Sequence, residues 1–493
     1  MKKLYTIGKR GVEAEFDEST GTVTFHSNHG TLLRNWTTCM SLTRREVRAI
    51  KIIGEINLPE NASGLSGSHY SLFGGLPNLE DFDTEYINTS NVTNMAYMFD
   101  GCKKLKRLNL SSFDTSNVTS MRGMFHECKS LQELNMDELN TANVTDLALM
   151  FRACYSLRHI DISRFDTSKA TDMSAMFAEC QELISLNMKG LNTSLVQHMS
   201  TMFAGCRSLT SLDLSGFDTS NVIDMGCMFS GCLNLKNLDI TDFNTSKVTN
   251  MNGMFYNCQS IQSLNLEKLN TQNVVSMHGM FSGCSSLKAI DVQHLNTAKV
   301  TDMSSMFFGC KQLVTIDPQK LDMSETKDVQ KMFGNCTSLS ELDMHNMDMS
   351  KVTNARQMFA GCRGMKSLNL NGAQTGCMID MSQMFADCTN LQSVSLDGLD
   401  TSTVEKMGGM FSECCSLQSV NLNGFDTHNV KEMWCMFNRC CVLEYLDLTN
   451  FDLTSIADMR SMFRGCANLK TLKIACAGPD THTENMFNGC PAL

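Results

Sequence analysis

The sequence is short of most features that announce chemistry. No segment approaches the run of about 20 apolar residues needed for a membrane-spanning helix, so no span is expected. There is no basic stripe: 41 Lys and Arg against 52 Asp and Glu leave a net charge of −11, which argues against a nucleic-acid partner. None of the 23 cysteines pairs in C-x-x-C spacing, so zinc is not expected. No dense carboxylate loop suggests calcium, and no phosphate loop or other cofactor motif is present. The histidines, among them His126, His159, His198 and His278, share no common position and belong to no catalytic motif. Behind Lys2 and Lys3 there is no apolar core of a signal peptide, so export is not expected to be encoded in this chain.

What the sequence has is one sentence written many times. From Cys102, steps of 26 residues land on Cys128, Cys154, Cys180 and every further multiple to Cys466, and the series closes at Cys490. One step back lies Leu76 in "SLFGGLPNLEDFD", and a further step puts Ile53, Ile56 and Leu58 on apolar positions. A fixed period of this length marks a solenoid, in which a unit too small to bury its own apolar face buries it against its neighbours.

Within a unit the hydrophobic period changes. In "SLDLSGFDTSNVIDMGCMFSGC", Leu212 and Leu214 alternate with Asp213 and Ser215, the pattern of a short strand. A polar turn, Asp218 to Asn221, follows, and then Val222, Met225, Met228, Phe229 and Cys232 take the spacing of one face of a short helix. The expectation is an α/β solenoid of about 17 stacked coils, each a short parallel strand plus a short helix, over residues 51–493. Residues 1–50 read as a β-rich N-terminal cap. There "VEAEFDESTGTVTFHSNHG" alternates around a turn at Thr20-Gly21, and Trp36 plugs the first coil.

The run "LDLSGFDTSNV.DM..MF.GC..L..L" resembles the BspA-like leucine-rich-repeat surface proteins of the 26-residue repeat type, from about residue 50 onwards. The resemblance implies a leucine-rich-repeat-like solenoid and adhesion or partner binding at a bacterial cell surface. Where the ordinary leucine-rich repeat has asparagine in its turn, this chain has Phe113, Phe165 or Phe217.

The strand face is the candidate binding surface. Asp161, Asp213, Asp239, Asp291, Asp317, Asp343 and Asp447 share an outward column with Asn109, Asn135 and Asn187, and Tyr445 breaks the repeat on the same face. Such a column suits a protein or glycan partner, or it is a solvated face whose carboxamides and carboxylates bond between coils. Trp434 replaces Arg122, Ser174 or Gly226 of other units and reads either as an exposed anchor or as a ring packed sideways on another coil. Cys415 and Cys441 follow their column cysteines directly, close enough in stacked coils for a disulfide in an oxidising compartment, or else they are unrelated surface thiols. The column thiols read as a buried ladder. A threonine column, Thr115, Thr141, Thr167 and onwards, is accounted for by turn formation and helix capping.

These residues point to a non-enzymatic binding protein: by the family resemblance, a surface adhesin or host-interaction protein. The alternative is an intracellular scaffold of the same fold, towards which the missing signal and the thiol ladder lean. A hydrolase with its site near the N-terminal cap is the third reading. The C-terminal coil, which ends in "MFNGCPAL", suggests end-to-end self-association.

Overall fold

The computed structural model describes residues 4–63 and 71–493, so the lysines weighed for an export signal lie outside the described residues. The chain divides into two compact units, Met1–Phe243 and Asn244–Leu493. Both are β-solenoids, with about 17 turns between them.

In the first unit the cap comes first. β1 (Leu4–Thr6), β2 (Gly8–Lys9), β3 (Glu13–Asp17), β4 (Thr22–His26) and β5 (Gly30–Leu32) precede a single turn of helix, α1 (Trp36–Cys39). β3 and β4 pair antiparallel, with Gly21 in the left-handed region at φ 70° where the chain reverses. β6 (Ala49–Ile53) then adds parallel to β4, and β8 (Asp81–Phe82) adds to β6, giving the sheet order β1-β3-β4-β6-β8. A second sheet runs β2-β5-β7-β9 through β7 (Ile56–Asn57) and β9 (Ile87–Asn88). Alternation along β6 buries Ile50 and Ile52 and leaves Ile53 57% exposed, so Ile53 is not on an apolar column, whereas Ile56 and Leu58 are buried. Trp36 is fully buried, edge-on to Phe25 at 5.2 Å, and its indole N–H donates to the carbonyl of Leu72 at 2.9 Å.

Coil strands follow at 26-residue intervals. β10 (Arg107–Asn109) pairs parallel with β11 (Glu133–Asn135), β12 (His159–Asp161) with β13 (Ser185–Asn187), and β14 (Ser211–Leu212) with β15 (Asn237–Leu238). In the second unit β16 (Glu341–Asp343), β17 (Ser367–Asn369) and β18 (Ser393–Ser395) form one patch, and β19 (Tyr445–Leu448) pairs with β20 (Thr471–Ile474). Like residues face like, as Leu108 faces Leu134 and Leu342 faces Leu368.

The short helix expected in every coil is absent. Among the described residues α1 is the sole α-helix, joined by one 3-10 turn at Pro318–Lys320. The segment between turn and cysteine is instead a run of tight turns that shares its hydrogen bonds with the next coil. The N–H groups of Met121, Gly123, Phe125 and Glu127 donate to the carbonyls of Asp146, Ala148, Met150 and Arg152 one coil on, at 2.8–3.0 Å. The residues between them, Met124, His126 and Cys128, close turns on residues three earlier, at 3.0–3.1 Å. Two residues per coil, five and one before the cysteine, sit at positive φ, as Gly123 (56°) and Glu127 (55°) do. A right-handed helix cannot contain such residues, so the spacing of three and four that suggests a helix is met by consecutive turns.

The interior repeats as regularly as the sequence. Phe99, Phe125, Phe151, Phe177, Phe203 and Phe229 stack at 5.6–6.0 Å between ring centroids in the first unit. In the second, the stack runs from Phe255 through Phe333 to Phe487. Methionines such as Met124, Met176 and Met306 fill the space beside the rings and are fully buried. Each buried ring contributes about 1.5–3 kcal/mol, and offset stacking adds roughly 0.5–1.5 kcal/mol per pair.

Candidate functional site

The strand face is the broad surface that the coils leave uncovered. Parity decides this: in β10 Leu108 points inward while Arg107 and Asn109 are exposed, and β12 buries Ile160 between exposed His159 and Asp161.

The aspartate column turns the chain as it leaves each strand. Asp161 accepts from the backbone N–H of Ser163 at 2.9 Å and from its hydroxyl at 2.6 Å. Asp213 is held in the same way by Ser215, and Asp239 by Thr241. Asp291 and Asp317 accept from the N–H groups of Gln293 and Gln319 at 3.0 and 3.1 Å, and Asp343 from the N–H of His345, whose Nδ1 lies 2.9 Å away. Hydrogen bonds from Ser163, Ser215 and His345 hold Asp161, Asp213 and Asp343 below the usual carboxylate range, so these three stay ionised further into acid. Coils also bond to one another along the row: the Asn187 amide donates to Asp161 at 2.9 Å and that of Asn369 to Asp343 at 3.0 Å.

At Asp447 the row is elaborated. The Tyr445 hydroxyl donates to its carboxylate at 3.0 Å, the Thr449 hydroxyl at 2.7 Å, and Lys473 of the next coil pairs with it at 3.2 Å. The Lys473 ammonium also lies 5.6 Å from the centre of the Tyr445 ring, which is 49% exposed. Donation by Thr449 is the largest of several contacts that lower the Asp447 pKa.

Two further rows of the same kind run beside it, the first in the polar turn read from the sequence at Asp218 to Asn221, the second not singled out there. One follows the strand by about half a dozen residues, with Asp114, Asp166 and Asp218 holding Ser116, Ser168 and Ser220. The other is partly buried and includes Asp146 and Asp172, between which the Arg122 guanidinium reaches to 3.5 and 3.3 Å. Burial raises the pKa of Asp146. The signal was present: an aspartate or asparagine followed two residues later by serine or threonine is the sequence of an Asx turn.

Trp434 is half-buried, and its ring lies over Gly408 and Gly409 of the preceding coil, so close that a Cβ on Gly408 would come within 2.3 Å of the indole. Cys415 and Cys441 are half-buried free thiols. Burial and the neighbouring Cys441 push the Cys415 thiol up, and Cys441 itself donates to the Arg439 carbonyl at 3.2 Å.

The column cysteines hold the coils together as donors. The Cys128 thiol donates to the Phe99 carbonyl of the preceding coil at 3.2 Å, and Cys362 to that of Phe333 at 3.0 Å. The threonine column is buried as well. Thr115 donates to the Asn140 carbonyl of the next coil at 2.8 Å, and Thr297 to that of Asp322 at 2.9 Å, so these hydroxyls bond between coils and cap no helix. Among the described residues no group of three or more His, Cys, Asp or Glu side chains is placed to hold a metal ion, and no helix is long and apolar enough to cross a membrane.

These features define a class: a repeat β-solenoid with a covered interior and an open strand face. The chain belongs to the family described as "Mycoplasma protein of unknown function, DUF285", whose profile matches repeatedly over residues 68–189, 150–265, 181–287, 260–372 and 366–475. No curated protein matches it. Among solved structures it is similar to a leucine-rich repeat protein from Bacteroides ovatus, at 17% identity over 98% of this chain and 91% of that one, TM-score 0.34. A leucine-rich cell surface protein from Faecalibacterium prausnitzii matches at 15% identity over 81% and 96% of the two chains, TM-score 0.35.

Proposed function

We propose that the protein is a non-enzymatic binding protein of the BspA-like type, acting at a bacterial cell surface as an adhesin or host-interaction protein. Its partner, a protein or a glycan, lies along the strand face. The observation that carries this reading is the open row of aspartates interspersed with asparagines, each aspartate held by its own turn. A fixed array of acceptors suits an extended partner that is basic or rich in hydroxyl groups. Tyr445, set against Asp447 and Lys473, supplies an aromatic anchor on the same face.

The test is binding of fluorescent beads carrying the full chain to epithelial cells. Asp291→Lys, Asp317→Lys and Asp343→Lys together should abolish capture, while a charge reversal away from the strand face, Lys311→Glu, should leave it intact. Equal capture by the two variants would remove the strand face from the reading.

An intracellular scaffold is the second reading, and the ladder of buried protonated thiols favours it, since such thiols suit a reducing compartment. Biotinylation of intact native cells with a reagent that cannot cross membranes separates the two: labelling supports the surface and its absence the interior.

A further inference from the structure

The cap leaves a cleft of about 1080 Å³ against the turns of the first coils. α1 and the loop after it form one wall, and Gly75, Gly101 and Glu127, each at the left-handed position before the column residue, form the other. In a chain of net charge −11, this cleft gathers Arg34, Arg44, Arg45 and Lys103, with His126, around only two carboxylates.

Both carboxylates are engaged. Glu127 pairs with Lys103 at 3.2 Å, and nearly buried Asp100 lies 2.8 Å from Nδ1 of His126. Glu46, close in sequence, is turned onto the backbone and hydroxyl of Thr43. Arg44 donates to the Gly74 carbonyl. Arg34 and Arg45 pair with no carboxylate among the described residues, and the contact with Asp100 leaves Nε2 as the imidazole nitrogen available to a ligand. No serine, threonine or cysteine side chain bonds to His126 among the described residues, so the cleft is argued as a binding site and not as a catalytic one.

We infer that this cleft binds a small polyanion of the phosphate-ester or diphosphate class, gripped by Arg34 and Arg45 and reached by His126. Planar guanidinium groups make paired, charge-assisted hydrogen bonds to phosphate oxygens, which suits a concave site lined by several of them. Nothing in this argument draws on the strand face, so either site can fail without the other.

Isothermal titration of the full chain with inorganic pyrophosphate tests the inference. Saturable binding at one site per chain is expected, and Arg34→Ala with Arg45→Ala should weaken it by about tenfold or more, the loss that follows removal of charge-assisted partners. Arg34→Lys with Arg45→Lys should fall in between, since charge is kept and the fork is lost. The variant Lys311→Glu, at an exposed residue that lines neither the cleft nor the strand face, should bind as the parent does. Near-ultraviolet circular dichroism, which reports on buried Trp36, checks that each variant is folded. No saturable heat in the parent, or undiminished binding in the double alanine variant, overturns the inference.

Discussion

At the scale of single residues, the positive-φ positions set the strongest local demand. Thr201 is β-branched yet sits at φ 55°, a conformation that costs a residue with a side chain about 1–2 kcal/mol. Thr201→Gly removes that strain but frees the unfolded chain, so a net gain of about 0.5–1 kcal/mol is expected, read as a higher urea midpoint with an unchanged slope. A lower midpoint would mean that the hydroxyl contact of Thr201 with the Ser200 carbonyl at 2.7 Å outweighs the strain. The thiols give a second prediction. Burial pushes Cys102, Cys180, Cys232, Cys284 and Cys362 up to about 12, whereas Cys377 and Cys476 are exposed. Iodoacetamide at mildly alkaline pH should therefore modify Cys377 and Cys476 quickly and those five only after unfolding, as peptide mapping would report. Non-reducing maps after exposure to oxidised glutathione would show whether Cys415 and Cys441 join, two free thiols counting against the bridge proposed for them. The Asx-turn aspartates give a third. Their folded pKa values lie below the unfolded value, so their contribution is complete above it and is lost as the pH falls through the folded values. Asp146, raised by burial, works in the opposite direction, but the lowered carboxylates outnumber it. The melting temperature should hold from neutrality to about pH 4 and drop below it.

At the scale of the element, a buried polar column does what apolar packing alone would not. Thr297 donates to the Asp322 carbonyl from a site 1% exposed, so Thr297→Val should cost about 1 kcal/mol in urea unfolding. Thr301→Val, at an exposed hydroxyl 3.2 Å from the Val275 carbonyl, should change stability by no more than about 0.5 kcal/mol. Equal effects would deny the buried row its role in joining coils. The sequence made the inward set plain, because the positions of Val222, Met225, Met228, Phe229 and Cys232 are apolar in nearly every period, with replacements such as Leu147, Ala170 and Ala355 that are buried too. It misled on the backbone between them, because a run of turns and a helix both return a side chain to one face every three or four residues. The glycine before half of the column cysteines, such as Gly101, Gly205 and Gly231, does mark the left-handed site. Thr115 read as a turn residue because nothing in one period shows that its hydroxyl points at the next coil. Arg34, Arg44 and Arg45 were not legible as a group at all, since the non-repeating cap meets the coils only once the chain has folded.

At the scale of the whole molecule, each coil depends on the ones that flank it. Phe333 stacks between Phe307 and Phe359 at 5.5 and 5.9 Å, and Phe333→Ala should cost about 3–5 kcal/mol. Hydrogen exchange should accelerate in both flanking coils as well as in its own, and a loss confined to one coil would contradict nearest-neighbour coupling. Phe487, stacked on Phe463 at 5.7 Å and 45% exposed, bears on the proposed self-association: sedimentation should show any oligomer dissociate in Phe487→Asp, and an unchanged species would place the contact elsewhere. The alternation of backbone donors, half closing turns and half crossing to the following coil, has an evolutionary corollary. From Cys258 to Cys466 the second unit keeps an unbroken 26-residue period, so removing residues 311–336 would join Cys310 to Thr337 with the ladders in phase. A gene of this design can grow or shrink by whole modules through unequal crossing-over, altering the reach of its product without inventing a new fold.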